Sequence, residues 1–79
     1  MINLNEQKDL NIYKKLLEVL SDYVEHFPGT PTQGLFERCL IEGLKIVPKD
    51  EKQEILEGIL NSGKSIPIIV QDIINKELI

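Results

Sequence analysis

Tryptophan is absent from this sequence, and cysteine, histidine and methionine each occur once, as Cys39, His26 and Met1. A lone cysteine cannot close an intrachain disulfide, and with one histidine beside it the chain cannot fill a tetrahedral zinc site. The same poverty argues against catalysis. An enzyme needs an acid, base or nucleophile positioned in a concave site, whereas the carboxylates here fall on outward helix faces, with no HExxH pattern and no nucleophile elbow. No enzymatic activity, metal or cofactor is expected.

Positive charge is scarce as well. Nine lysines and arginines stand against 13 acidic residues, a formal net charge of −4 with a pI near 4.9. Such a field disfavours nucleic acid and anionic membrane, whose affinity comes largely from cations neutralising phosphates. A basic or neutral protein surface is the expected partner. No apolar run approaches the roughly 20 residues that span a bilayer. Residues 1–9 carry charge and asparagine where a secretory signal would need an apolar stretch. With a lone free thiol besides, a cytoplasmic protein is expected. Repeats, low-complexity tracts and linkers are missing too, so residues 1–79 read as one domain.

What is present is a globular composition, 42% hydrophobic and 28% charged, far from that of a disordered chain. At 79 residues a single core is only marginally stable, and small domains commonly rely on a disulfide, a metal or a second copy. With the first two excluded, oligomerisation is the expected support.

Periodicity predicts an all-α fold, a compact and dimeric bundle of four helices at about 5–27, 31–46, 51–61 and 66–78. The second is the one the others must cover. At about 100° per residue, Phe36, Leu40, Gly43 and Val47 centre its apolar face, Cys39, Leu44 and Ile46 widen it, and only Arg38, Glu42 and Lys45 form a polar strip. Gly43 in mid-face costs about 1 kcal/mol relative to alanine, so close approach of the first or fourth helix is expected in compensation. Cys39 reads as a small buried hydrophobe rather than a nucleophile.

The first helix sets Leu10, Tyr13, Leu16, Leu17, Leu20, Tyr23, Val24 and Phe27 inward, with Asn11, Lys14, Lys15, Glu18, Asp22 and Glu25 on its far side. Asn3 with Glu6, or Asn5 alone, would cap its start. His26, in its last turn, reads as a partner of the helix dipole rather than a ligand. Pro28 and Gly29 suit a type II turn, after which Thr30, Pro31 and Gln33 spell a capping box. Pro48 ends the second helix, and Asp50 with Gln53 would cap the third, which offers Ile55, Leu56, Ile59 and Leu60 to the core. Gly63 is placed for a left-handed C-cap and Ser65 for the N-cap of the fourth helix. That helix would turn Ile66, Ile69, Val70, Ile73 and Ile74 inward, with Leu78 at their edge.

The functional expectation is a non-catalytic protein–protein interaction module: a small regulator, adaptor or inhibitor of another macromolecule. Leu35, Ile41 and Ile68 lie off the inward faces, with Ile12, Val19 and Ile79 at the rims, and they suit a homodimer through the second and fourth helices. Two acidic rows at i, i+4 and i+7, namely Glu18, Asp22 and Glu25, then Asp50, Glu54 and Glu57, would stay outside as solvated faces available to a basic target. One alternative is a helix-turn-helix DNA-binding regulator, weakened by a last helix whose only cation, Lys76, is balanced by Asp72 and Glu77. Another is nucleotide or anion binding at residues 58–65, where Gly58, Gly63, Lys64 and Ser65 fit the pattern GxxxxGK[ST]. That loop normally follows a buried strand, and the residues before Gly58 have helical periodicity.

Overall fold

The computed structural model describes residues 7–78, and all four of its elements are α-helices: α1 (Gln7–His26), α2 (Pro31–Leu44), α3 (Lys49–Leu60) and α4 (Ile68–Leu78). No strand forms among the described residues, and the globule measures 31 × 23 × 20 Å. The expected caps Asn3, Asn5 and Glu6, and the apolar Ile79, lie outside the described residues.

The order of elements follows from where the chain can bend. After Phe27, Gly29 takes a positive φ of 80°, as a type II turn demands, and α2 runs back along α1. The capping box foreseen at Thr30 is rearranged. The Thr30 hydroxyl donates backward to the Phe27 carbonyl at 3.0 Å, and Gln33 accepts from the Gly29 N–H at 2.8 Å. The two side chains therefore lock the turn rather than the first helical N–H groups, and Pro31 at the helix start needs no partner there.

At the centre of the α1–α2 pair, Gly43 receives the ring of Tyr13. A Cβ on Gly43 would fall far inside van der Waals contact with that ring's outer edge. The Tyr13 hydroxyl then donates to the Cys39 carbonyl at 2.8 Å, so the missing side chain of one helix is replaced by the aromatic side chain of its neighbour. The close approach expected at Gly43 is made by α1. Phe36, Leu40, Leu44 and Val47 are buried as expected, and Cys39 and Ile46 pack at the edge of the core.

The second half of the chain closes this hairpin. α3 contributes Ile55 and Leu56, and α4 contributes Val70 and Ile74. Burying a side chain of this size is worth about 1.5–3 kcal/mol. Two ion pairs join elements at the rim: Lys14 of α1 to Glu51 of α3 at 3.1 Å, and Lys52 of α3 to Glu77 of α4 at 2.6 Å. Partly exposed pairs of this kind add at most about 1 kcal/mol each; they orient the helices more than they hold them.

Three boundaries depart by two residues from the sequence reading. α2 ends at Leu44, two residues early, where the Gly43 carbonyl accepts from the N–H groups of Lys45 and Ile46. α3 starts at Lys49 because Pro48, with no N–H to satisfy, serves as its N-cap and accepts from Lys52 N–H at 2.9 Å; Asp50 becomes a first-turn acid rather than the cap. α4 starts at Ile68. Pro67 disfavours helical backbone at Ile66, and its own carbonyl begins the ladder by accepting from Gln71 N–H at 3.0 Å. Ser65 therefore does not cap α4, and Ile69, expected inward, is exposed.

Candidate functional site

α1 is amphipathic in an unusual proportion. Placed at about 100° per residue, its apolar side chains fill a continuous arc of roughly 180°, against the roughly 100° that one core contact occupies. The structure divides this arc in two. Leu10, Tyr13, Leu17, Leu20 and Val24 are buried, whereas Ile12, Leu16, Val19, Tyr23 and Phe27 are between 44% and 60% exposed. The exposed set recurs at intervals of four, three, four and four residues and so forms one seam along the helix. At its end the rings of Tyr23 and Phe27 stack with centroids 4.9 Å apart.

The seam lies on the α2 side of α1. Tyr13, at the border of the buried half, reaches across to α2 at Cys39, and Leu35 stands one turn before Cys39 on the same edge. Leu35 is exposed there. Ile41 is exposed on the other flank of α2, and Ile68 is exposed at the start of α4. All three apolar residues singled out from the sequence are thus exposed, two of them on α2 and one on α4. Leu16, Tyr23 and Phe27, assigned to the interior from periodicity, belong to the open seam. The width of the apolar arc was the signal that one core contact could not cover all of it.

The opposite flank of α1 is polar and engaged. Lys64, in the segment between α3 and α4, pairs with Asp22 at 2.6 Å and donates to the Ser21 hydroxyl at 3.2 Å; the Ser65 N–H donates to the Glu25 carboxylate at 3.0 Å. Two members of the first acidic row thus tie the loop to the helix, a correction to their reading as solvated charges. Glu18 stays exposed and, among the described residues, pairs only within its own helix, with Lys15 at 3.4 Å. In the second row Asp50, Glu54 and Glu57 are all exposed, Glu57 accepting from Gln53 at 3.1 Å.

Between α1 and α3 runs a shallow groove of about 260 Å³, floored by Leu17, Ile55 and Ile59 and opened by the bare backbone of Gly58. Its rim holds Lys14 and Lys64, each already paired with a carboxylate. A typical small-molecule pocket starts near 300 Å³ and carries polar groups free to fix a ligand. This groove falls short of that volume, and of its charged lining the two lysines are engaged while the carboxylates of Glu18 and Glu54 face it as well.

The residues that fit the phosphate-loop pattern are arranged otherwise than such a loop. Gly58, Ile59 and Leu60 are the last turn of α3, Gly63 takes a positive φ of 80°, and Lys64 reaches α1. The helix-turn-helix outline is likewise altered: seven residues separate α3 from α4, against the three or four of that motif. α2 and α3 are four residues apart, but α3 presents Asp50, Glu51, Glu54 and Glu57 against Lys49 and Lys52, a charge balance opposed to a phosphate backbone.

Two further groups complete the inventory. Burial, with Cys39 beside it, pushes the Tyr13 hydroxyl well above the ordinary tyrosine range, so it is a hydrogen-bond donor to α2 rather than a proton-transfer group. The His26 ring nitrogen Nδ1 lies 2.9 Å from the Asp22 carbonyl in the last turn of α1. No cluster of three histidine, cysteine or acidic residues suited to a metal occurs among the described residues, and no described helix is long and apolar enough to cross a membrane. Compared with known protein families, with curated proteins and with solved structures, the chain matches none.

Proposed function

We propose that this chain is a non-catalytic protein–protein interaction module, a small regulator, adaptor or inhibitor that works through its helix faces and functions as a homodimer. The observation that carries the reading is the open seam of α1. Four large apolar side chains of the longest helix, with Phe27 just past its end, stand in one row, where scattered single residues would call for no explanation. In the two acidic rows Glu18, Asp50, Glu54 and Glu57 have no tertiary partner among the described residues and supply a second surface suited to a basic target. The groove and the residue 58–65 segment, whose lysines are already paired, favour neither a ligand nor a nucleotide, and the acidic face of α3 speaks against DNA.

A paired capture tests this. Tagged wild-type chain and a Leu16→Lys, Val19→Lys variant are used to draw partners from the same lysate. Because both positions are exposed, the variant should keep its fold, and partner recovery should drop by an order of magnitude or more. Identical recovery by the two chains would end the proposal.

A further inference from the structure

We infer that the seam of α1 is covered by the same seam of a second copy, the two α1 helices running antiparallel. This rests on the reading of the seam as an interaction surface and names its occupant. Three features of the seam argue for a second copy.

The first is spacing. Ile12, Leu16, Val19 and Tyr23 are separated by four, three and four residues, the 3.5-residue repeat by which two helices interlock knobs into holes. An isologous pair requires a surface that complements itself. Turned end for end about a point between Leu17 and Glu18, the row places Ile12 opposite Tyr23 and Leu16 opposite Val19, the smaller residue of each copy against the larger of the other.

The second is the helix dipole. Two helices side by side attract when their dipoles are opposed and repel when they are aligned, which favours the antiparallel orientation.

The third is area. At roughly 200 Å² per large side chain, the five half-exposed residues present about 500 Å² of apolar surface, more than half of the roughly 800 Å² per partner that a stable interface buries.

The test has two arms. Light scattering of the full chain at about 100 μM should give twice the 9.0 kDa chain mass, and the Leu16→Lys, Val19→Lys variant should be monomeric with unchanged helical circular dichroism. Orientation is read from two chains in a Cys39→Ala background, one with Leu16→Cys and one with Val19→Cys. Mixed and oxidised, they should cross-link several-fold more than either alone. Cross-linking of each variant with itself as efficiently as in the mixture would overturn the antiparallel arrangement, and a wild-type chain that stays monomeric would overturn self-pairing altogether. In that last case the paired capture separates the two ideas: a seam-dependent partner leaves the interaction reading standing, and its absence removes both.

Discussion

Replacing Gly43 by alanine should destabilise this protein even though alanine is the better helix former. On intrinsic propensity the change gains about 1 kcal/mol. Against that, the new Cβ occupies the place of the Tyr13 ring edge. That ring is buried and held by its hydroxyl on the Cys39 carbonyl, so it cannot turn aside without surrendering the bond. Overpacking of this kind costs about 1–3 kcal/mol, and the lost hydrogen bond about 1 kcal/mol more. The net expectation is a loss of about 1–3 kcal/mol, or a fall of roughly 5–20 °C in midpoint for a domain of this size. Urea and thermal unfolding followed by far-UV circular dichroism would measure it. In a Tyr13→Leu background, which removes the ring edge, the same substitution should become neutral or stabilising, a coupling of about 2 kcal/mol between the two positions. Gly58→Ala, where a Cβ meets nothing within 4 Å, serves as the control and should stabilise by up to about 1 kcal/mol. A rise in midpoint for Gly43→Ala in the wild-type chain, or an equal loss in the Tyr13→Leu background, would refute the packing argument.

Gly63→Ala places a side chain at a φ of 80° and should cost about 1 kcal/mol, seen as a lowered urea midpoint with an unchanged slope. Stability should also fall at alkaline pH through Tyr13. Its hydroxyl is held protonated in the folded chain by burial and by Cys39, whereas the unfolded chain releases the proton near pH 10. The contribution is complete below that pH and is lost as pH climbs from there through the higher pKa of the folded state, because the unfolded state then binds fewer protons. Urea midpoints measured against pH should show this decline in the wild type and not in Tyr13→Phe.

Much of the fold was legible because its cause is local. The 3.6-residue spacing of Phe36, Leu40 and Leu44, and the paired breakers Pro28 and Gly29, speak for helix and turn without reference to anything distant. Gly43 was legible in a stronger sense: a glycine in mid-face is a local cost that only a neighbour can explain. The errors arose where local signals competed. Ser65 looked like a cap, but Pro67 two residues later restricts Ile66 and delays the helix. Asp22 and Glu25 repeat like a solvated row, yet their partners lie in the loop between α3 and α4, a pairing across some 40 residues that no periodicity announces. The seam on α1 was half visible. The composition shows that the arc is too wide for one contact, while only tertiary packing shows which half the core takes.

α1 also provides six of the buried residues, Leu10, Tyr13, Leu17, Leu20, Ser21 and Val24, on the flank adjoining its uncovered row. Scarcely any position along it is therefore indifferent to substitution: one side answers to folding, the next to whatever is bound, and a third to the strap through Lys64. Adaptation of the outward row to a new target must proceed on a segment whose other faces cannot drift, so most of the variation such a protein tolerates should accumulate in α3 and α4.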